Sequence, residues 1–219
     1  MKNLYLFLFL VFICSCANKE NYTFNGVVSD PVFEGHKVYL LPVDNAIAEN
    51  VDSTIIKDGK FSFNGKADSM LTKIIRVKSF YPKIMQDLMV VLEKGTTEVN
   101  IGAVSYGNGT SLNNKLQQWK DQKTFMDSIQ FDVFNKQKGG KENQVLLDSL
   151  LKIGDSLNKQ SKANNLKMIK ENINNGIGIF MFRIFFHSFN NGEKKEILAL
   201  ANDRFKNEPS LKEMIKEIK

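Results

Sequence analysis

The hydrophobic period of this 219-residue chain changes once, near residue 110, and that change limits the folds open to it. Before it, apolar residues come in short alternating runs: Tyr22 to Phe24, Lys37 to Leu41, Asp52 to Ile56, Lys60 to Phe63, Leu71 to Lys78, Leu88 to Leu92 and Thr97 to Ile101. Period-two alternation broken by turn residues is the mark of half-buried strands. Asp58-Gly59 predicts a two-residue hairpin turn, because type I′ geometry needs positive φ at both central residues. Lys94-Gly95 predicts a turn joining the last two runs, and the Gly107 and Gly109 pair reads as a turn or a domain junction. About seven short strands over residues 22–110 predict an all-β domain, a sandwich or open barrel.

From Ser111 onward apolar residues recur at helical steps, at Leu112, Leu116, Trp119, Met126, Ile129 and Val133. Gly139-Gly140 ends that run, and Leu147, Leu150, Leu151 and Leu157 begin a second, so residues 111–219 read as an α-helical region. Ile177 to Phe189 is its most apolar stretch. Thirteen residues interrupted by Arg183 are too few to span a bilayer, so a central core helix is expected there. Ser210-Leu211-Lys212-Glu213 has the spacing of a capping box and predicts a helix start, with Pro209 just ahead of it.

The N-terminus has a different grammar. Lys2 precedes ten apolar residues from Leu4 to Ile13, followed by Cys14-Ser15-Cys16 and a polar stretch. A basic start, a short apolar core and a small residue before a cut describe a secretory signal peptide over residues 1–15. Ile13-Cys14-Ser15-Cys16 resembles the bacterial lipobox, in which the final Cys is lipid-modified and becomes residue one. Cys16 is therefore the expected lipid attachment site, followed by a tether over 16–21. Cys14 would put Ile13 at the cleavage position, where a small residue is required. A multi-chain anchor holds stably where a single acyl chain does not. The expected location is the cell envelope of a Gram-negative bacterium, at the outer membrane, facing the periplasm or the surface.

Once residues 1–15 are removed, Cys16 is the sole Cys, so an intramolecular disulfide is excluded. The two His residues, His36 and His187, have no second ligand at metal spacing, and no cofactor is expected. Residues 16–110 carry a net charge of −1 and residues 111–219 one of +6. The lysines behind that excess are dispersed, as on solvated helix faces. With Arg76, Arg183 and Arg204 the only arginines, nucleic acid is not an expected partner. Asp30, Glu34 and His36 flank Pro31 and Gly35 and read as a polar turn. Neither Gly107-Asn108-Gly109-Thr110 nor Gly139-Gly140-Lys141 completes a phosphate loop, and no G-x-S-x-G elbow occurs. Asp-Ser followed by Thr or an apolar residue occurs five times, which is similar to an O-glycosylation acceptor triplet of some Gram-negative exported proteins; its candidate sites are Ser53, Ser69, Ser128, Ser149 and Ser156.

Gly59-Lys60-Phe61-Ser62-Phe63-Asn64-Gly65, with Phe24-Asn25-Gly26 and Val38 to Leu41 before it and Gly109-Thr110-Ser111-Leu112-Asn113 after it, resembles domain of unknown function 4369. The resemblance covers about residues 22–115. It implies the N-terminal all-β domain of envelope lipoproteins that continue through helices into a thioredoxin-like domain of the AhpC/TSA or TlpA class. Redox-active members carry a Cys-x-x-Cys beyond the helices, and this chain has none, so the resemblance brings no catalytic residue with it. The expected function is non-enzymatic: a lipid-anchored envelope protein that binds or scaffolds, with membrane contact through its lipid and an envelope protein as partner. The alternatives are a non-catalytic accessory to a thiol-disulfide system and a glycan-binding or hydrolytic lipoprotein.

Overall fold

The structure, a computed structural model, describes residues 20–44, 46–139 and 144–218; residues 1–15, expected as a signal peptide, and Cys16 lie outside them. Eight strands form two four-stranded sheets. The first contains β1 (Asn21–Val28), β4 (Lys60–Lys66), β7 (Gly95–Ile101) and β8 (Tyr106–Asn108), in the order β4-β1-β7-β8. The second contains β2 (Lys37–Pro42), β3 (Asp52–Ile55), β5 (Asp68–Val77) and β6 (Leu88–Leu92), in the order β3-β2-β5-β6. All pairings are antiparallel except β1 with β7, which runs parallel from Tyr22 opposite Gly95 to Val28 opposite Ile101.

Alternation explains the sandwich. Phe24 and Val28, Val38 and Leu40, Phe61 and Phe63, Ile75 and Val77, and Val99 and Ile101 each sit two or four residues apart and turn inward to one core between the sheets. Each such side chain contributes about 1.5–3 kcal/mol relative to exposure, which offsets the entropy of ordering the strands.

Asp58-Gly59 forms the expected turn, with φ of 53° and 68°. Lys57 and Lys60 exchange backbone hydrogen bonds of 2.9 and 3.0 Å across it. The hairpin is one bridge long, however, because β3 and β4 then part into opposite sheets. Lys94-Gly95 likewise joins β6 to β7 across the sandwich, so it does not turn a paired hairpin as expected. Turn residues report the local bend and carry no information about which strand the chain pairs with next. An eighth strand, β8, occupies the stretch read as a turn or junction, pairing Tyr106 to Asn108 with Glu98 to Asn100.

The helical region comprises α1 (Ser111–Gly139), α2 (Gln144–Glu171), α3 (Gly176–Phe185), α4 (Asn191–Leu200), α5 (Asp203–Lys206) and α6 (Lys212–Lys216). The expected core helix is α3: Ile177, Met181 and Phe182 are fully buried. Its core is shared with the outer face of the second sheet, since Met70 of β5 and Val91 of β6 pack among Ile169, Ile177, Phe182, Phe186 and Phe205. Among the described residues no helix is long and apolar enough to cross a membrane. The expected capping box at Ser210 and Glu213 does not form. Pro209 starts a 3-10 turn that absorbs Ser210, fully buried Leu211 precedes α6, and Glu213 accepts from Lys216 at 2.7 Å instead. A capping box forms at α4, where Asn190 Oδ1 accepts from Glu193 N at 2.9 Å and Glu193 Oε2 accepts from Asn190 N at 2.8 Å.

Two of the three arginines tie the two halves together. Arg183 of α3 pairs with Asp44 in the loop after β2, and Arg204 of α5 pairs with Asp68 at the start of β5. At the junction itself, Asn113 of α1 bonds the open edge of β6. Its Oδ1 accepts from Val91 N at 2.9 Å, and its Nδ2 donates to Val91 O at 3.0 Å and to Thr110 Oγ1 at 2.8 Å. Glu93 accepts from Leu112 N at 2.7 Å at the start of α1. Just ahead of α1, Gly109 lies close against β7: its φ is +146°, and a Cβ there would meet Thr96 O at 2.3 Å. An edge strand is thus closed by a side-chain amide in place of another strand.

Candidate functional site

The loops at one end of the sandwich are built by side chains, and they enclose a groove. After β1, Asp30 caps the short 3-10 turn Pro31–Phe33 by accepting from Val32 N at 3.1 Å, as Asp and Asn do at such starts. Its other oxygen pairs with Lys83 Nζ at 2.6 Å, which ties this loop to the β5–β6 loop and holds the Asp30 carboxyl below the usual range. Glu34 spends both carboxylate oxygens on the Asp58-Gly59 turn, accepting from Asp58 N at 2.9 Å and Gly59 N at 3.0 Å. Phe33 is fully buried beneath these turns. It packs on His36 and Phe80 at ring-centroid distances of 5.6 and 5.2 Å, and His36 meets Phe80 edge-on at 5.9 Å.

The β5–β6 loop is fixed in turn by Ser79 Oγ, which accepts from Met85 N at 2.8 Å, and by Phe80 N donating to Lys83 O at 3.0 Å. These two loops and the outer face of β2 bound a groove of about 350 Å³ lined by His36, Lys37, Tyr39, Lys78, Ser79 and Phe80. That volume falls in the range of small-ligand sites. In the same two loops Tyr81 is 94% exposed, and Ile84 and Val32 are exposed as well.

Its electrostatics are one-sided. Asp30 is engaged by Lys83, Glu34 by two backbone N–H groups, and Asp87 by a two-pronged contact from Arg76 at 2.5–3.1 Å that raises the guanidinium's pKa. Lys37 and Lys78 make no ion pair among the described residues. The arrangement offers two ammonium groups and a phenol beside an aromatic wall, which suits an anion attached to a ring or other flat apolar face.

Asp30, Glu34 and His36 do come together here, and they shape the turns as the sequence predicts. Lys37, Tyr39, Lys78 and Phe80 escape a motif search; the available signal was the alternation of β2, which turns Lys37 and Tyr39 outward once Val38 and Leu40 are placed in the core. His187 is exposed against the Phe186 ring, far in sequence from any of these groups. Among the described residues no group of three His, Cys, Asp or Glu side chains could hold a metal. The five Asp-Ser serines are all exposed, and all lie in regular elements: Ser53 in β3, Ser69 in β5, Ser128 in α1, Ser149 and Ser156 in α2. Ser128 and Ser149 donate to the helix carbonyls of Phe125 and Val145 at 2.7 and 3.0 Å.

The sequence profile of the family described as a domain of unknown function, DUF4369, matches residues 22–146. The match runs from β1 across the sandwich and through the whole of α1. No curated protein and no solved structure matches the chain.

Proposed function

The chain belongs to the DUF4369 family, and from that premise we propose that it is a non-enzymatic binding protein of the cell envelope, anchored by lipid on Cys16, that takes a carboxylate-bearing sugar in its loop-end groove. The observation that carries the reading is the charge arrangement. Asp30, Glu34 and Asp87 are each already engaged, while Lys37 and Lys78 face the groove without an ion pair beside Phe80 and His36. An ammonium pair recognises a carboxylate, and the aromatic wall covers the apolar face of a sugar ring.

The test is titration calorimetry with the chain from Glu20 onward against uronic-acid oligosaccharides, their neutral counterparts, and acidic peptides of equal charge. Binding of the acidic sugars alone, weakening with salt and abolished in Lys37→Glu/Lys78→Glu, is the expected result. Preference for the peptides, or acidic-sugar binding that survives the double charge reversal, overturns the ligand assignment. Intact-mass analysis of the membrane fraction checks the anchor separately: the expected N-terminal residue is an acylated Cys16.

A further inference from the structure

α1 is about 43 Å long, and it forms an antiparallel hairpin with α2. Its register is set by Trp119 Nε1 donating to Asn165 Oδ1 at 3.1 Å and Gln130 Nε2 donating to Asn158 Oδ1 at 2.8 Å. Over the far half of the hairpin, residues 120–139 and 144–161, Val133 and Leu150 are the only buried side chains among the described residues. That half nevertheless presents large apolar groups to solvent: Phe125, Val145 and Ile153 are exposed, and Phe131, Phe134 and Leu151 are 63%, 49% and 50% exposed. The last three share one flank. Phe131 follows Gln130, Phe134 follows Val133 and Leu151 follows Leu150, each one position after a residue that faces the other helix. In antiparallel helices a 100° step past the seam turns both helices to the same side. The register also places Phe134 level with Leu151.

We infer that this flank is the contact between two copies of the chain, packed about a two-fold axis that passes between Phe131 and Phe134. Three features single out a second copy. Such an axis sets α1 antiparallel to its symmetry mate and brings Lys138 of each copy level with Asp127 of the other, where it would join the pair that Asp127 Oδ2 makes with Lys123 Nζ in its own helix, so opposite charges frame the apolar centre twice. Lys138 already lies over the Phe134 ring, 4.2 Å from its centroid. The far half is about 30 Å long and two helices, about 20 Å, wide. It offers a footprint of roughly 600 Å² per copy, close to the about 800 Å² that each partner gives to a stable interface. Residues 120–139 and 144–161 hold five acidic and six basic side chains, a near balance that draws in neither anionic lipid nor a strongly charged protein.

Sedimentation of the chain from Glu20 onward is the test. The expected species is a dimer at about 100 µM protein, with the dissociation constant rising at least ~100-fold in Phe131→Glu/Phe134→Glu. Asp127→Lys weakens the dimer and Asp127→Lys/Lys138→Asp restores it, a rescue that unfolding cannot mimic. All three variants change exposed positions, and a far-UV spectrum matching that of the parent chain verifies their helices. A chain that remains monomeric at that concentration overturns the assignment, whether or not it floats with phosphatidylglycerol vesicles. So does a dimer indifferent to the Phe131 and Phe134 changes.

Discussion

Asn113→Ala probes how the helices are joined to the sandwich. Asn113 is 3% exposed and makes three hydrogen bonds, two of them to Val91, whose own exposure is zero. Truncation leaves Val91 N–H buried without its acceptor, at about 1–3 kcal/mol, while Val91 O retains Glu93 N at 2.7 Å and forfeits one bond worth roughly 0.5–1.5 kcal/mol. The sum is about 1.5–4.5 kcal/mol, a large share of the 5–15 kcal/mol typical of a folded protein. Urea unfolding followed by Trp119 fluorescence and far-UV dichroism reads it as a lower midpoint at unchanged slope. Asn113→Asp refines the argument, because its carboxylate can accept from Val91 N–H but opposes Val91 O with a second acceptor. The ionised form is disfavoured in the fold, so its folded pKa rises above the unfolded value of about 3.9. The deficit is therefore full above the folded value and shrinks as pH falls through it. A loss for Asn113→Ala within about 0.5 kcal/mol of zero, or an Asn113→Asp deficit independent of pH, refutes the view that this amide closes the sheet edge.

Two further outcomes follow from the junction and its core. Phe182, fully buried with ring centroids 5.5 Å from both Phe186 and Phe205, should cost about 3–5 kcal/mol on truncation to Ala in the same urea assay. The Asp68 carboxyl is held below its usual range, first by the hydrogen bond from Arg204 and also by Met70 N at 3.0 Å. Asp68→Asn should therefore lose about 0.5–1 kcal/mol at neutral pH, a modest figure because Arg204 is half exposed. That gap is fully present above the unfolded carboxylate value and closes as pH falls through the depressed folded one, which thermal melts from pH 7 to pH 2.5 will show.

The division of the chain was legible because strand and helix periods differ, and Ser111 is indeed where α1 begins. The apolar excess of 177–189 likewise marked a core helix without any knowledge of its neighbours. What local sequence did not carry was pairing: Asp58-Gly59 and Lys94-Gly95 encode bends, yet both bends carry the chain from one sheet to the other. Ser210 and Glu213 have capping-box spacing, but Pro209 and buried Leu211 govern the backbone there, whereas Asn190 and Glu193 form the box on a signal of the same type. The groove was hidden for a related reason. Lys37 and Lys78 belong to strand ends 41 positions apart and become neighbours only through β2–β5 registry, in which Val38 lies opposite Val77. Asn113 was visible as part of a family-like stretch, but its contact with Val91 depends on α1 reaching the edge of β6.

The placement of β1 has a consequence for the order in which the molecule is assembled. It is the first made of the described strands, yet it sits inside its sheet between β4 and β7, with Asn25 opposite Ser62 on one side and Glu98 on the other. A chain delivered from its N-terminus must hold this strand without one neighbour until more than seventy further residues have emerged. Long separations of that kind slow folding, because the loop must close before the pairing repays it. In the interval the edge of β1 that meets β7 is open to other chains, and the β4 edge is open too until Lys66 has appeared, so the time between the appearance of Asn21 and that of Ile101 is when this protein most needs shielding from its neighbours.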